Sequence, residues 1–327
     1  MGYSVIGMGN AIVDVISHVP DEFIDKHRLD RGAMQLIEAE EATRLYAAMP
    51  PGIESSGGSA ANTIAGIASR GGQVAFVGKV RDDQLGEVFA HDIRAAGVDY
   101  RVPPGADGDP TARCLIAVTP DAQRTMNTFL GISRNLSPAD VDEELVASGD
   151  LLYCEGYLWD VEVAKEAITK GMDVARRAGN KTALALSDGF CVERHRAEFL
   201  ELVEHRVDIL FANEVEITSL YEVDTFDDAL QRVRGHCEIA CLTRSEKGSV
   251  IVANGEVHVI DAHPVERVVD TTGAGDLYAA GFLYGLSAGH DLATCGRLAS
   301  LAAAEVISHL GARPETSLAD LAGAMLG

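Results

Sequence analysis

Short, almost wholly apolar runs recur along this chain, and nearly every one is followed by a stretch with helical spacing. Ser4–Met8, Gln73–Val77, Asp150–Cys154, Thr182–Leu186, Asp208–Ala212 and Ile239–Thr243 read as buried strands. Ser59–Ser69, Val161–Ala178, Arg194–Glu204 and Phe226–Arg234 read as helices between or after them. Strands that alternate with helices form right-handed crossovers, so the pattern predicts an α/β domain with a mostly parallel central sheet covered on both faces. Beyond Ala274 the pattern turns mainly helical, over Leu277–Leu286, Asp291–His309 and Leu318–Met325. A single domain spanning residues 1–327 is expected.

Two segments break the rhythm. Residues 14–37 and 98–129 are polar, turn-rich and β-leaning, and the second contains the strand-like Arg113–Thr119 and Arg124–Phe129. Together they predict a small sheet beside the main one, either a lid or a decorated sheet edge.

Composition removes several classes. The net charge of −23 disfavours a nucleic-acid backbone or an anionic membrane as main partner, and leaves an anionic substrate only a locally arranged site. No apolar run approaches the roughly 20 residues of a membrane span. The stretch Met1–Gly7 lacks the basic and long apolar regions of a secretory signal. The six cysteines contain no CxxC pair and no matching histidine pair, so they read as buried free thiols in a reducing, cytoplasmic setting.

The densest chemistry lies in Asp270-Thr271-Thr272-Gly273-Ala274-Gly275-Asp276, with strand-like Val265–Val269 leading in and a helix leading out. Gly273 and Gly275 let a ligand approach the backbone, and the free N–H groups of the following helix turn form an anion hole with Ala274 between the glycines. Asp276, beside that hole, is placed to accept a hydroxyl proton while the oxygen attacks phosphorus. Ser56-Gly57-Gly58-Ser59-Ala60-Ala61-Asn62 offers a second close-approach turn, with Asn62 able to donate to and accept from a hydroxyl. Gly9-Asn10-Ala11-Ile12-Val13-Asp14 places a carboxylate just past a strand, where it can accept from two vicinal hydroxyls. Asn213 and Glu216 follow another strand, at the end where open α/β sheets bind ligands. No Walker A sequence is present, and Gly7-Met8-Gly9 fails as a dinucleotide fingerprint because Ile12 stands where its third glycine belongs.

These four motifs, in this order, resemble the ribokinase-like (PfkB) family of carbohydrate and nucleoside kinases. The resemblance implies a three-layer α/β/α sandwich with a small β-rich lid, and an ATP-dependent phosphotransferase with Asp276 as base. It implies that Glu216 acts through water on the Mg²⁺ accompanying ATP, with Asn213, Thr243 and Gly248 near the nucleotide. Asp270 and Thr272 match a loop that holds K⁺ in many members.

Asp21–Leu29, Met34–Ile37 and Leu186–Phe190 are similar to segments of the adenosine kinases. On that likeness Asn10, Asp14, Gly57, Gly58 and Asn62 hold a ribose, Gln35 lies near the base, and Arg124 reaches the transferring phosphoryl group. The expected substrate is adenosine at its 5′-hydroxyl. A ribose or fructose kinase and a non-catalytic nucleoside sensor are the alternatives, and the chain is expected as monomer or homodimer. Two places depart from the pattern. Gly156-Tyr157-Leu158-Trp159 replaces a phenylalanine pair, so Tyr157 or Trp159 must supply any stacking ring, and Ser245 stands where a glycine is usual.

Overall fold

The computed structural model describes residues 2–121 and 123–326; Met1 of the N-terminal stretch, Ala122 of the turn before Arg124, and Gly327 lie outside it. The strands are β1 Val5–Met8, β2 Ile12–His18, β3 Met34–Leu36, β4 Ile53–Gly57, β5 Val74–Val77, β6 Asp99–Tyr100 and β7 Ala112–Val118. They continue with β8 Arg124–Phe129, β9 Leu151–Glu155, β10 Lys181–Ala185, β11 Ile209–Asn213, β12 Ile239–Thr243, β13 Ser249–Ala253 and β14 Glu256–Ile260. The α-helices are α1 Asp21–His27, α2 Ala39–Ala48, α3 Ser59–Ala68, α4 Gln84–Ala95, α5 Glu143–Ala147 and α6 Glu162–Ala178. After these come α7 Gly189–His205, α8 Glu214–Tyr221, α9 Phe226–Val233, α10 Ala274–Ser287, α11 Leu292–Val306 and α12 Leu318–Leu326.

Nine strands form the main sheet in the order β14-β13-β12-β11-β10-β9-β1-β5-β6, parallel from β6 to β12 and antiparallel at β13 and β14. β1, β5 and β9 are buried along their whole length, as strands covered on both faces must be. The chain leaves β1 toward β5 on one side and later returns to β9 on the other. That reversal opens a crevice at the carboxyl ends of β1 and β9.

Helix α3 starts in this crevice and is built from small residues. A Cβ on Gly66 would come within 2.7 Å of Leu277 and 2.8 Å of Ala280, so glycine is what lets α10 lie directly on α3. This contact sets the start of α10 beside the start of α3.

A second sheet of five strands has the order β3-β8-β7-β2-β4. Its make-up corrects the sequence expectation twice: β4 lies outside residues 14–37 and 98–129 yet joins the sheet, and β6, inside the second segment, pairs with β5 of the main sheet. Val265–Val269, expected as strand-like, is irregular. It has no strand neighbour, and Val269 N–H instead donates to Ile307 O at 2.8 Å, at the end of α11.

The two faces of the small sheet differ. Val13, Val15, Leu115 and Asn127 are fully or almost fully buried on one. The other carries Asp14 and Arg124 among Ile12, Ile16, Ile116 and Met126, by the register of β2, β7 and β8. No described helix is long and apolar enough to cross a membrane.

Candidate active site

Asp276 sits in the first turn of α10 with both oxygens engaged by α3. Ser59 Oγ donates to Oδ1 at 2.7 Å and Asn62 Nδ2 donates to Oδ2 at 3.0 Å. Burial pushes its carboxyl up to about 6, against these two hydrogen bonds and the charge of Arg313. The carboxylate is therefore held in a fixed orientation at the start of α10. Asn62 Oδ1 is buried without a partner among the described residues, an acceptor left for a ligand hydroxyl.

The turn expected to hold an anion opens α10 at Gly273. Ala274 N–H donates to Thr271 O at 3.2 Å, so the N–H groups of Gly275 and Asp276 are the first-turn donors without a backbone acceptor. Gly273 has φ 79°, and a Cβ there would lie 2.9 Å from Ala312 Cα. A Cβ on Gly275 would meet nothing within 4 Å, so the space above that residue is open for a ligand.

A cleft of about 710 Å³ runs from Asp276, Ser59 and Gly275 past Asn213 and Glu216 to Thr243, Ser245 and Gly248. Pro264, Val265, Val268, Ala303 and Ile307 give it an apolar end that suits a purine. Asp14 stands on the small sheet against Gly57, whose added Cβ would lie 2.5 Å from Asp14 Oδ2. Burial raises Asp14 to about 6, while Arg124 and Arg313 pull it down. Gly58 precedes α3 with φ 100° and fits tightly on Asn10 O.

Three expected ligand contacts do not hold in this geometry. Asn10 is 2% exposed and spent internally, because its Nδ2 donates to Glu155 Oε1 at 2.7 Å and its Oδ1 accepts from Ser133 Oγ at 2.8 Å. Gln35 pairs in register with Asn127 and donates to it at 2.7 Å, which puts it on the opposite face of the sheet from Asp14. Strand alternation leaves its neighbours Met34 and Leu36 on the Asp14 face instead. Trp159 is buried, with Nε1 donating to Glu198 at 2.7 Å, so it is no stacking ring; Tyr157 is half-buried, its hydroxyl donating to Ser187 O at 3.2 Å.

A pfkB family carbohydrate kinase model matches residues 34–318. The chain belongs to this family. Its members are phosphotransferases acting on an alcohol, and this kinase shares their fold. It is 50% identical to a solved adenosine kinase from Sinorhizobium meliloti, with 99% of this chain and 100% of that one covered and a TM-score of 0.91. It is 48% identical to a probable sugar kinase from Rhizobium etli, with 99% of both chains covered and a TM-score of 0.92. An adenosine kinase of Saccharomyces cerevisiae is 25% identical over 94% of this chain and 95% of its own length.

The kinase's donor groups fit Mg²⁺. Glu216 is held as one half of a capping box: Asn213 N–H and Nδ2 donate to its two oxygens at 2.9 and 2.6 Å. Each oxygen keeps a free lone pair on the cleft wall, enough for a water-mediated role with an ion that retains its waters. Burial lifts Glu216 to about 7. The same test fails for K⁺ at Asp270. Oδ1 accepts from Thr272 N–H at 3.1 Å and Thr272 Oγ1 at 2.8 Å, and Oδ2 from Gly311 N–H at 3.0 Å and from Arg124. All four acceptor positions of the carboxylate are used, and a guanidinium stands where the cation was expected.

Two groups escaped the sequence reading. Glu155 ends β9 with 0% exposure, accepts from Asn10 N–H and Nδ2 at 2.7 Å each and from Ala60 N–H at 2.8 Å, and is raised by burial to about 7. It ties the turn after β1 to the start of α3; its only signal was an acid closing an apolar run. Arg313, in a loop without a motif, gave none.

Proposed function

We propose that this kinase transfers the γ-phosphoryl group of MgATP to the 5′-hydroxyl of adenosine, giving AMP and ADP. The observation that carries the reading is the small-sheet face around Asp14. Ile12, Ile16, Cys114, Ile116, Val118 and Met126 form an apolar cluster there, continued by exposed Met34, Leu36 and Ile53. A carboxylate that can take a ribose diol, set in an apolar wall, suits a nucleoside; a free sugar has no apolar part to bury on it. The adenosine kinase of S. meliloti, at 50% identity, points the same way.

In this reading the smaller sheet is a lid over a single catalytic domain. Asp276 takes the proton of the 5′-hydroxyl, whose oxygen forms the new bond to the γ-phosphorus while the bond to the β-phosphate oxygen breaks and ADP leaves. The N–H groups of Gly275 and Asp276 receive the phosphoryl oxygens. Arg124 keeps Nη1 on Asp270 and offers its other N–H groups to the same oxygens as the lid closes. Glu216 and Asn213 would hold Mg²⁺ through water, where it would neutralise charge on the phosphates. Exclusion of water keeps the hydroxyl as the only acceptor.

The likeness to the R. etli protein keeps a sugar acceptor as the second reading. An ADP-release assay over adenosine, other nucleosides, ribose and fructose separates them. Turnover of fructose or ribose with none of adenosine would reassign the acceptor, and no release with any of them would leave a nucleoside sensor.

A further inference from the structure

The loop between α11 and α12 is tied down at three points. Glu305 Oε1 accepts from the N–H groups of Glu315 and Thr316 at 2.9 and 2.7 Å, and Asp270 Oδ2 accepts from Gly311 N–H at 3.0 Å. Ala312 packs directly on Gly273 of the anion turn. The residue these anchors place is Arg313. Its Nη2 spends both hydrogens on Ser56, on the carbonyl at 2.9 Å and on Oγ at 3.0 Å. Ser56 is gripped from the other side by Asp92 of α4, which accepts from its N–H at 2.7 Å and from Oγ at 2.6 Å. The guanidinium is therefore fixed through Nη2. Nε and Nη1 are buried and have no partner among the described residues. Ser56 adjoins Gly57, which touches Asp14, and Ala312 lies against Gly273 of the turn before Asp276, so the charges near the guanidinium are Asp92, Asp14 and Asp276.

Buried N–H groups are nearly always paired. Here three N–H bonds of a cation are left over, in the space shared by the acceptor-side carboxylate and the base. We propose that Arg313 is a further substrate-binding residue, a fixed cation near Asp14 and Asp276 whose free N–H groups donate to oxygen atoms of the bound acceptor and of its phosphomonoester product. This rests on the reading of Asp276 as base and Asp14 as acceptor ligand. It also answers a difficulty of a chain with net charge −23, which must hold a dianionic product among carboxylates. Arg313 and Arg124 supply the local positive charge. The cost shows in the guanidinium itself, which burial lowers to about 10.

The other titratable groups acting on Asp276's surroundings are Asp14 on β2, Tyr153 and Glu155 on β9, and Tyr157 just after it; Arg124 balances Asp14 from β8. None of these is a cation on Asp276 itself, so removing Arg313 leaves that carboxylate without a compensating charge.

The test uses Arg313→Met and Arg313→Lys in the full chain, with two readouts. The first is KM for the acceptor that the wild type uses. The second is the titration midpoint of the Asp276 carboxyl in ligand-free protein by ¹³C NMR, assigned by the resonance lost in Asp276→Asn. Arg313→Met is expected to raise KM at least about tenfold, as loss of a charged hydrogen bond does, and to move the midpoint up by about one pH unit or more. Arg313→Lys keeps the charge and loses the fork, so its midpoint stays near wild type while KM rises. A purely structural arginine would lower Tm and leave the midpoint unmoved. Either readout remaining at the wild-type value in a folded Arg313→Met overturns the proposal. If the wild type accepts no nucleoside or sugar, the functional reading falls by itself, and the midpoint still decides the placement of Arg313.

Discussion

Arg124 and Asp270 form a buried ion pair that joins the first residue of β8 in the small sheet to the anion turn of the main domain, with side chains 8% and 7% exposed. Breaking one half strands the other. Asp270→Ala is expected to cost about 3–5 kcal/mol. Arg124→Met combined with Asp270→Ala should recover part of that, and with the Arg124→Met single variant gives a coupling energy in a double-mutant cycle read by chemical denaturation.

The same pair predicts the cation response. With the acceptor positions of Asp270 filled by N–H and O–H donors and a guanidinium, replacing K⁺ by tetramethylammonium should change the rate less than about twofold, since no lone pair remains for the ion. A strong K⁺ requirement in steady-state assays would show that Arg124 vacates the site during turnover.

Asp276→Asn removes the proton acceptor and keeps an isosteric group for Ser59 and Asn62. The expected result is a kcat lower by about 10²–10⁴ with Tm close to wild type. In the wild type, kcat/KM should fall as pH drops through about 6, where Asp276 and Asp14 take up protons. Near-normal turnover of the Asn variant would remove Asp276 from its role.

The glycines of the anion turn should separate. Gly273→Ala forces a left-handed backbone, at about 1–2 kcal/mol, and pushes on Ala312, so Tm falls together with activity. Gly275→Ala meets nothing in the protein, so Tm holds while KM for ATP rises. An equal loss of Tm in both would mean that the open space at Gly275 is no ligand site.

Stability should oppose activity in its pH dependence. Asp14 and Asp276 are raised to about 6, and Glu155 and Glu216 to about 7, all chiefly by burial. A raised folded pKa means that the folded chain holds the proton more tightly. The stability these four contribute is full below their unfolded values near 4 and is lost as pH rises through 6–7. Asp99, Asp140 and Asp160, whose folded values are depressed, contribute above their unfolded value and lose it in acid. Calorimetry at constant ionic strength should find Tm declining from about pH 5 to pH 8; a rise over that range would show that the four carboxyls are solvated.

The parallel sheet was legible because five-residue apolar runs carry their own period and their own turns. Asp276, Asn62, Asp14 and Glu216 could be picked out because each lies in a recognisable motif, and the fold brings Asn62 onto Asp276 and sets Glu216 on the same cleft. Gln35 was misplaced by a property that sequence distance hides: one step along a strand reverses the face, and the register of β3 on β8 decides which residue of Met34-Gln35-Leu36 looks at the site. Asn10 failed differently. Its buried partners Glu155 and Ser133 come from more than 120 positions away, so nothing local reveals that both ends of its amide are already taken. Arg313 has no motif around it; only the folded loop brings it to Ser56.

The grip of Ser59 and Asn62 on Asp276, with Arg313 across from it, has a consequence for synthesis of the chain. A ribosome makes the acceptor turn first and the proton acceptor more than 200 residues later, and Arg313 emerges later still. Until those last segments dock, the nascent polypeptide has sheet and lid strands but no assembled reaction centre. On the proposed mechanism a half-made molecule cannot spend nucleotide, and docking of these late helices completes the reaction centre.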